Sequence, residues 1–417
     1  MTDFKSIIKE QREELESIEH EETIIMREQL GSAKEALKHP NILAVLGIRR
    51  CGKSIFSYLL AKDYNAGYIN FDDERLIDLK TEDFDKILTS FYELYGNIDY
   101  VILDEVQNIK NWELFVNRLR RTKKVILTGS NSRLLAGELS THLTGRYIDI
   151  ELFPFSFREH LLKKGFVESK VYTSKEKAEI LTHLTTYLQI GGFPEAHKFG
   201  KAILTRIYED ILTKDILLRY KITKKDELKK LGNYLMTNSS QEITYRKILN
   251  IFNIKHSSTV SNWIGYLENS FLVFRVERFD YKLKQQYIAP KKFYCIDTGL
   301  VNSIGFQFSE NVGKLMENAV AIELQRRKES SASKVYYWKN HQQSEVDFVV
   351  KNDKKVNELI QVTYALTKPD INQRELNSLL KASKELRCSD LKVITWDYEI
   401  IENNIQFIPL WKWLLKN

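Results

Sequence analysis

The stretch Gly47-Ile48-Arg49-Arg50-Cys51-Gly52-Lys53-Ser54 decides the reading of this 417-residue chain. It has the G-x-x-x-x-G-K-S spacing and stands between the apolar run Ile42–Leu46 and a segment of helical character. Two glycines let backbone N–H groups turn inward around phosphate oxygens, and the helix that follows offers its positive N-terminal end. All eight residues, Gly47, Ile48, Arg49, Arg50, Cys51, Gly52, Lys53 and Ser54, are therefore expected to line an ATP site. Lys53 would reach the β- and γ-phosphates and Ser54 would ligate Mg²⁺. Cys51 sits inside the loop, where Lys53, Arg49 and the helix N-terminus should favour its thiolate and make it open to alkylation.

Outward from the loop, β-type runs at Ile42–Leu46, Tyr68–Phe71, Tyr100–Leu103 and Val125–Leu127 alternate with helix-length segments. That alternation predicts an α/β core with a parallel sheet. The third run ends in Asp104-Glu105. Behind a phosphate loop, such a pair can hold Mg²⁺ through Asp104 and orient the attacking water through Glu105. The fourth run leads into Thr128-Gly129-Ser130-Asn131-Ser132, whose Ser130 and Asn131 are candidate γ-phosphate sensors, though such residues also make ordinary polar turns. Arg146, in Leu143-Thr144-Gly145-Arg146, is a candidate arginine finger or else a surface ion-pair partner. A finger acting in trans needs a homo-oligomer.

At about 150 residues per domain the length suggests roughly three units, and 43% apolar content fits folded domains. No stretch approaches the ~20 uncharged apolar residues of a membrane helix, and the chain start lacks a signal-peptide pattern, so no membrane partner and a cytoplasmic location are expected. Cys51, Cys295 and Cys388 are too scattered for a zinc site. The net charge of +7 permits nucleic-acid contact without requiring it. Residues 1–40 are acidic, with six Lys/Arg against ten Asp/Glu, whereas Lys282, Lys284, Lys291 and Lys292 lie in an acid-free stretch.

Five segments are expected: a helical N-terminus (1–38), an ATPase core (39–155), a helical lid (156–227), a winged helix-turn-helix (228–288) and a last α/β segment (289–417). In the fourth, Ile243–Leu249 and Ser257–Leu267 read as the two helices. Val260, Ile264 and Leu267 would face the core, and Ser258, Thr259, Asn262 and Tyr266 a DNA groove. Arg275 and Arg278 would meet phosphates from the wing. The second helix carries no Arg or Lys to read guanine, so protein docking is the rival use.

The pieces GIRRCGKS, VILDEVQNI, LTGSNSRLL, LTGRY, ELFPFSF and GGFPEA together resemble a family of AAA-type ATPases of archaea and bacteria with a restriction-endonuclease-like C-terminal domain. The resemblance runs from about Ile24 to the end. It implies a P-loop sheet with an additional strand between the P-loop strand and the acidic strand, and a PD-(D/E)xK-like terminal fold. On that fold, Glu317 matches the family's helix glutamate and Asp347 its strand aspartate. Where Glu-x-Lys is expected, the chain has Gln361 and Thr363. Glu317, Asp347 and Gln361 are thus a second candidate metal set that lacks the catalytic lysine, which favours a binding or structural role over cleavage. The function expected is a DNA-associated, ATP-hydrolysing motor or switch. Its alternatives are a nucleotide-gated scaffold for a protein client and an ATP-dependent nuclease.

Overall fold

A computed structural model describes residues 3–21, 24–132, 143, 145–169, 171–305, 311–328, 333–353 and 355–416. They form two compact units, Met1–Phe153 with Asn269–Phe271, and Pro154–Glu268 with Leu272–Asn417.

The first unit holds a five-stranded sheet of β1 (Ile42–Leu46), β2 (Ala66–Asn70), β3 (Tyr100–Asp104), β4 (Lys124–Gly129) and β5 (Tyr147–Glu151). Its order is β2-β3-β4-β1-β5 and every pairing is parallel. All five residues of β1 are buried, because a parallel strand covered on both faces has no polar side to show. The added strand that the family resemblance implies is β4, which lies between β1 and β3. At the β2 edge, the helix Phe4–Glu21 buries Phe4, Ile7, Ile8, Gln11 and Leu15 at helical spacing. The Gln11 amide donates to the Asn70 carbonyl at 3.1 Å and accepts from the Asn70 N–H at 2.8 Å, so it satisfies edge groups that would otherwise be open to another strand.

The second unit begins with helices Phe157–Lys163, Ser174–Ile190, Pro194–Phe199 and Ala202–Asp210. Its nine strands are β6 (Glu242–Ile243), β7 (Val273–Arg278), β8 (Lys291–Cys295), β9 (Ser333–Lys339), β10 (Glu345–Asn352), β11 (Lys355–Val362), β12 (Leu391–Thr395), β13 (Ile400–Glu402) and β14 (Ile405–Pro409). They make one sheet in the order β13-β14-β12-β11-β10-β9-β7-β8-β6. The helix Val312–Arg326 packs on β8 and β11, and Gln373–Leu386 packs on β10 and β11. The expected boundary at 155/156 lies beside the division between the units. Those at 227/228 and 288/289 fall inside the second, where β8 pairs with β6 and β7 across the 288/289 boundary.

Candidate nucleotide site

β1 leads straight into the phosphate loop, whose start is pinned when the Gly47 N–H donates to the Gly129 carbonyl of β4 at 3.3 Å. A Cβ at Gly47 would collide with the Leu152 carbonyl oxygen, which is why only glycine fits there. Gly52 takes φ +98°, also a glycine conformation, and opens the helix Lys53–Ala61. Lys53 Nζ turns back over the loop, donating to the carbonyls of Gly47 at 3.1 Å and Ile48 at 3.2 Å. It also pairs with Glu105 Oε1 at 3.3 Å.

The acidic pair closes the other side. Asp104 is buried at the end of β3, where Tyr68 Oη donates to its Oδ2 at 2.7 Å and the Thr128 hydroxyl donates to Oδ1. The Ser54 hydroxyl hydrogen-bonds to the same carboxylate, so the two residues expected at a metal ion are brought together. Glu105 follows in a left-handed conformation, φ 51°, with its N–H donating to Thr128 Oγ1 at 2.8 Å and its carboxylate accepting from the Gln107 amide. Burial and then the Glu105 charge push the Asp104 carboxyl up from its ordinary range. Burial pushes Glu105 the same way, but the charges of Lys53 and Arg49 outweigh it and hold this carboxyl below its ordinary value. Burial and the neighbouring charge thus push one carboxyl of the pair up while the nearby cations hold the other down.

Ser130 and Asn131 are buried where β4 ends, and Ser130 Oγ lies 3.5 Å from the Gln107 amide nitrogen. Arg146 is placed differently from the expectation. It precedes Tyr147, which pairs with Ile42 at the entry of β1, whereas the loop leaves from the other end of that strand. Four residues at ~3.3 Å each separate those ends by about 13 Å. Arg146 donates to Asn117 Oδ1 at 3.2 Å, away from the loop of its own chain, so a finger role for it would have to be played in trans. Thr144 lies outside the described residues, as do 133–142.

The expectation for Cys51 is also corrected. Its side chain is fully buried, and burial pushes the thiol up from its ordinary value against the pull of Lys53 and Arg27. Arg27 itself is a loop contact absent from the sequence reading. Its guanidinium donates to the carbonyls of Cys51 at 3.0 Å and Phe153 at 2.6 Å, tying the segment ahead of the core to the loop. No local motif marks it. Arg49, in turn, pairs with Asp72 at 3.0 Å.

Residues 39–161 match the AAA domain family. An uncharacterized protein of Methanocaldococcus jannaschii, MJ1544, is 35% identical over 400 residues, covering 90% of this chain and 89% of that protein. The chain belongs to that protein's family, and its residues 39–161 carry an AAA-type P-loop ATPase domain. A second relative of this ATPase, an uncharacterized protein of Haemophilus influenzae, is 28% identical over 90% of this chain and 94% of its own length. Among solved structures, the Walker-type ATPase of Pyrococcus abyssi is similar with a TM-score of 0.45 and 16% identity, over 67% of this chain and 96% of that one. Beyond the AAA domain of the ATPase, residues 181–311 and 312–413 match two domains of unknown function, DUF8612 and DUF4143. No helix among the described residues is long and apolar enough to cross a membrane.

In the second unit of the ATPase, Glu317 and Asp347 do come together, but around a lysine. Lys292 Nζ lies 3.1 Å from Glu317, 2.8 Å from Glu345 and 3.3 Å from Asp347. Gln361 Nε2 donates to the other Asp347 oxygen at 2.7 Å. Thr363 brings no charge, as its identity implies. Arg275, expected to meet phosphates, is instead held by the Glu268 carboxylate and donates to Tyr245 Oη at 3.2 Å. Tyr266 stacks on Tyr220 with ring centroids 3.8 Å apart.

Proposed function

We propose that this ATPase binds ATP with Mg²⁺, hydrolyses it, and uses the cycle to switch its hold on DNA. The observation that carries the hydrolytic half is the meeting of Lys53, Ser54, Asp104 and Glu105 at one loop, with Glu105 kept anionic by its cationic neighbours. Ser54 and Asp104 would hold the metal ion, which supplies charge neutralisation at the phosphates when bound. The chain's own residues do the rest. Lys53 and the loop N–H groups bind the phosphates, Ser130 and Asn131 sense the last of them, and Glu105 orients and polarises water.

Support for the DNA half comes from helices Lys225–Thr237, Tyr245–Phe252 and Ser257–Asn269 beside the antiparallel ribbon β6-β8-β7, an arrangement suited to a winged helix-turn-helix. Val260, Ile264 and Leu267 are buried while Ser258 and Asn262 are exposed, as a groove-facing helix requires. Between β7 and β8, Tyr281, Lys282, Lys284 and Tyr287 are exposed without an acid among them, which suits a polyanion. Nucleotide state would then bias a two-state equilibrium that differs in DNA affinity.

A protein-only scaffold is the second reading, favoured by the engagement of Arg275 with Glu268 and of Tyr266 with Tyr220. Titration of fluorescent duplex DNA at several salt concentrations, with and without ATP and Mg²⁺, separates the two. Nucleotide-dependent affinity that falls steeply with salt supports the DNA switch. Absence of DNA binding in every nucleotide state would leave the scaffold.

A further inference from the structure

The acidic residues of the second unit do not fit a metal ion as they stand, and the reason is a side chain brought from another strand. Glu317 comes from the helix Val312–Arg326, Glu345 and Asp347 from β10, and Gln361 from β11. Glu345, Asp347 and Gln361 line an open pocket of about 370 Å³ together with Lys339, Arg374 and Glu375. Glu317, which is not part of the pocket's lining, completes with Glu345, Asp347 and Gln361 the oxygen donor set of a hard divalent cation, which would need those oxygens 2.0–2.6 Å from one point. They surround an ammonium instead. Lys292, on β8 and only 2% exposed, places Nζ 2.8–3.3 Å from one oxygen each of Glu317, Glu345 and Asp347. An ammonium has three N–H donors, and three carboxylates are present to accept them.

The remaining contacts complete the cage. Tyr294 Oη donates to Glu317 Oε1 at 2.7 Å, Lys339 pairs with Glu345 Oε2 at 3.2 Å, and the Val362 N–H donates to Asp347 Oδ2 at 3.0 Å. Two buried acceptors at the pocket have no hydrogen-bond partner, Gln361 Oε1 and Glu375 Oε2. Gln361, 6% exposed, spends its amide nitrogen on Asp347, and its Oε1 is buried with no hydrogen-bond partner. An ammonium already saturated by three carboxylates has no N–H left for either oxygen, whereas a divalent ion of higher coordination number takes further oxygen ligands. Among the described residues, no three acidic, histidine or cysteine groups converge as a metal requires.

We propose that the carboxylate cluster of Glu317, Glu345 and Asp347 is a divalent-cation site that the chain's own Lys292 keeps closed: the ammonium stands where the ion would bind. The reading is independent of whether the ATPase binds DNA. It follows that the intact protein takes no divalent ion there, and that removing the ammonium opens the site.

The test uses full-length, nucleotide-free protein and Mn²⁺ alone, with bound ion counted from the loss of the free-Mn²⁺ paramagnetic signal. The parent and Asp347→Ala are expected to bind equally, so that any ion at the nucleotide loop cancels. Lys292→Ala should gain about one equivalent, and the gain should vanish in Lys292→Ala/Asp347→Ala. Lys292→Ala should also melt below the parent without metal and rise by several degrees with Mn²⁺, while the parent does not move. Lys292→Gln, which keeps a hydrogen-bond donor among the carboxylates, serves if the alanine variant does not fold. A Mn²⁺ ion in the parent that Asp347→Ala removes would overturn the proposal, as would a folded Lys292 variant that gains none.

Discussion

Lys53 Nζ and Glu105 Oε1 face each other at 3.3 Å, both side chains buried, so the cation proposed to bind phosphate and the carboxylate proposed to orient water are one ion pair. Each is held by a further group, Lys53 by the Gly47 and Ile48 carbonyls and Glu105 by Gln107. On the proposed reading, an incoming phosphate would compete with Glu105 for the same ammonium.

Removing the cation should therefore act twice. Lys53→Ala is expected to abolish measurable ATP binding and to destabilise the first unit, because breaking a buried pair leaves an uncompensated charge and typically costs about 3–5 kcal/mol. Calorimetric nucleotide titration and thermal melting check both effects. A Lys53→Ala/Glu105→Gln double variant should recover part of the lost stability and none of the binding.

Arg27 fixes the loop from outside through two carbonyls. Hydrogen bonds from a charged group contribute about 1.5–3 kcal/mol. If a good part of that positions the loop, Arg27→Ala should weaken nucleotide affinity by about tenfold or more. Arg27→Lys keeps the charge but not the fork, and should lie between. Unchanged affinity in the alanine variant would make Arg27 a purely structural contact.

All three cysteines are free and buried. Native protein should therefore react slowly at all three with a thiol reagent, and denatured protein should release three thiols at once. Rapid labelling of Cys51 in the native, nucleotide-free protein would mean that the loop opens far more readily than its packing suggests.

A pH effect should come from the second unit. Burial, followed by the neighbouring His197 and His183 charges, lowers His160 from 6.5 to about 3, and burial with Lys164 and Lys163 lowers His197 from 6.5 to about 4. Folding thus disfavours the charged forms, and the unfolded chain binds more protons below its own pKa. Stability from these two groups is fully present above pH 6.5 and drains away as the pH falls toward 3–4. Melting temperatures between pH 7.5 and 5 should fall, and His160→Phe should flatten that slope.

What could be read from the sequence was whatever is written locally. Gly47 and Gly52 are demanded by backbone shape within eight residues, and Asp104-Glu105 closes an apolar run that could only be a buried strand. β5 escaped notice because Tyr147–Glu151 alternates with polar residues at the sheet edge, where one side meets water. Where Arg146 emerges could not be read, because closeness in sequence to β4 does not say at which end of the sheet a residue lies. Arg27 reaches Cys51 from 24 positions away, and Lys292 reaches Asp347 from 55. The lysine lay in a basic stretch that reads as surface charge, and only the pairing of β8 within the larger sheet buries it.

The central claim, ATP hydrolysis at this loop with Glu105 directing the water, is tested most directly by steady-state ATP turnover of Glu105→Gln beside the parent, with ATP binding measured on the same samples. General-base and water-positioning groups contribute about 10²–10⁴-fold. The account requires binding within a few fold of the parent and turnover reduced at least tens of times. Near-normal turnover in Glu105→Gln would contradict it and move the catalytic role to another residue.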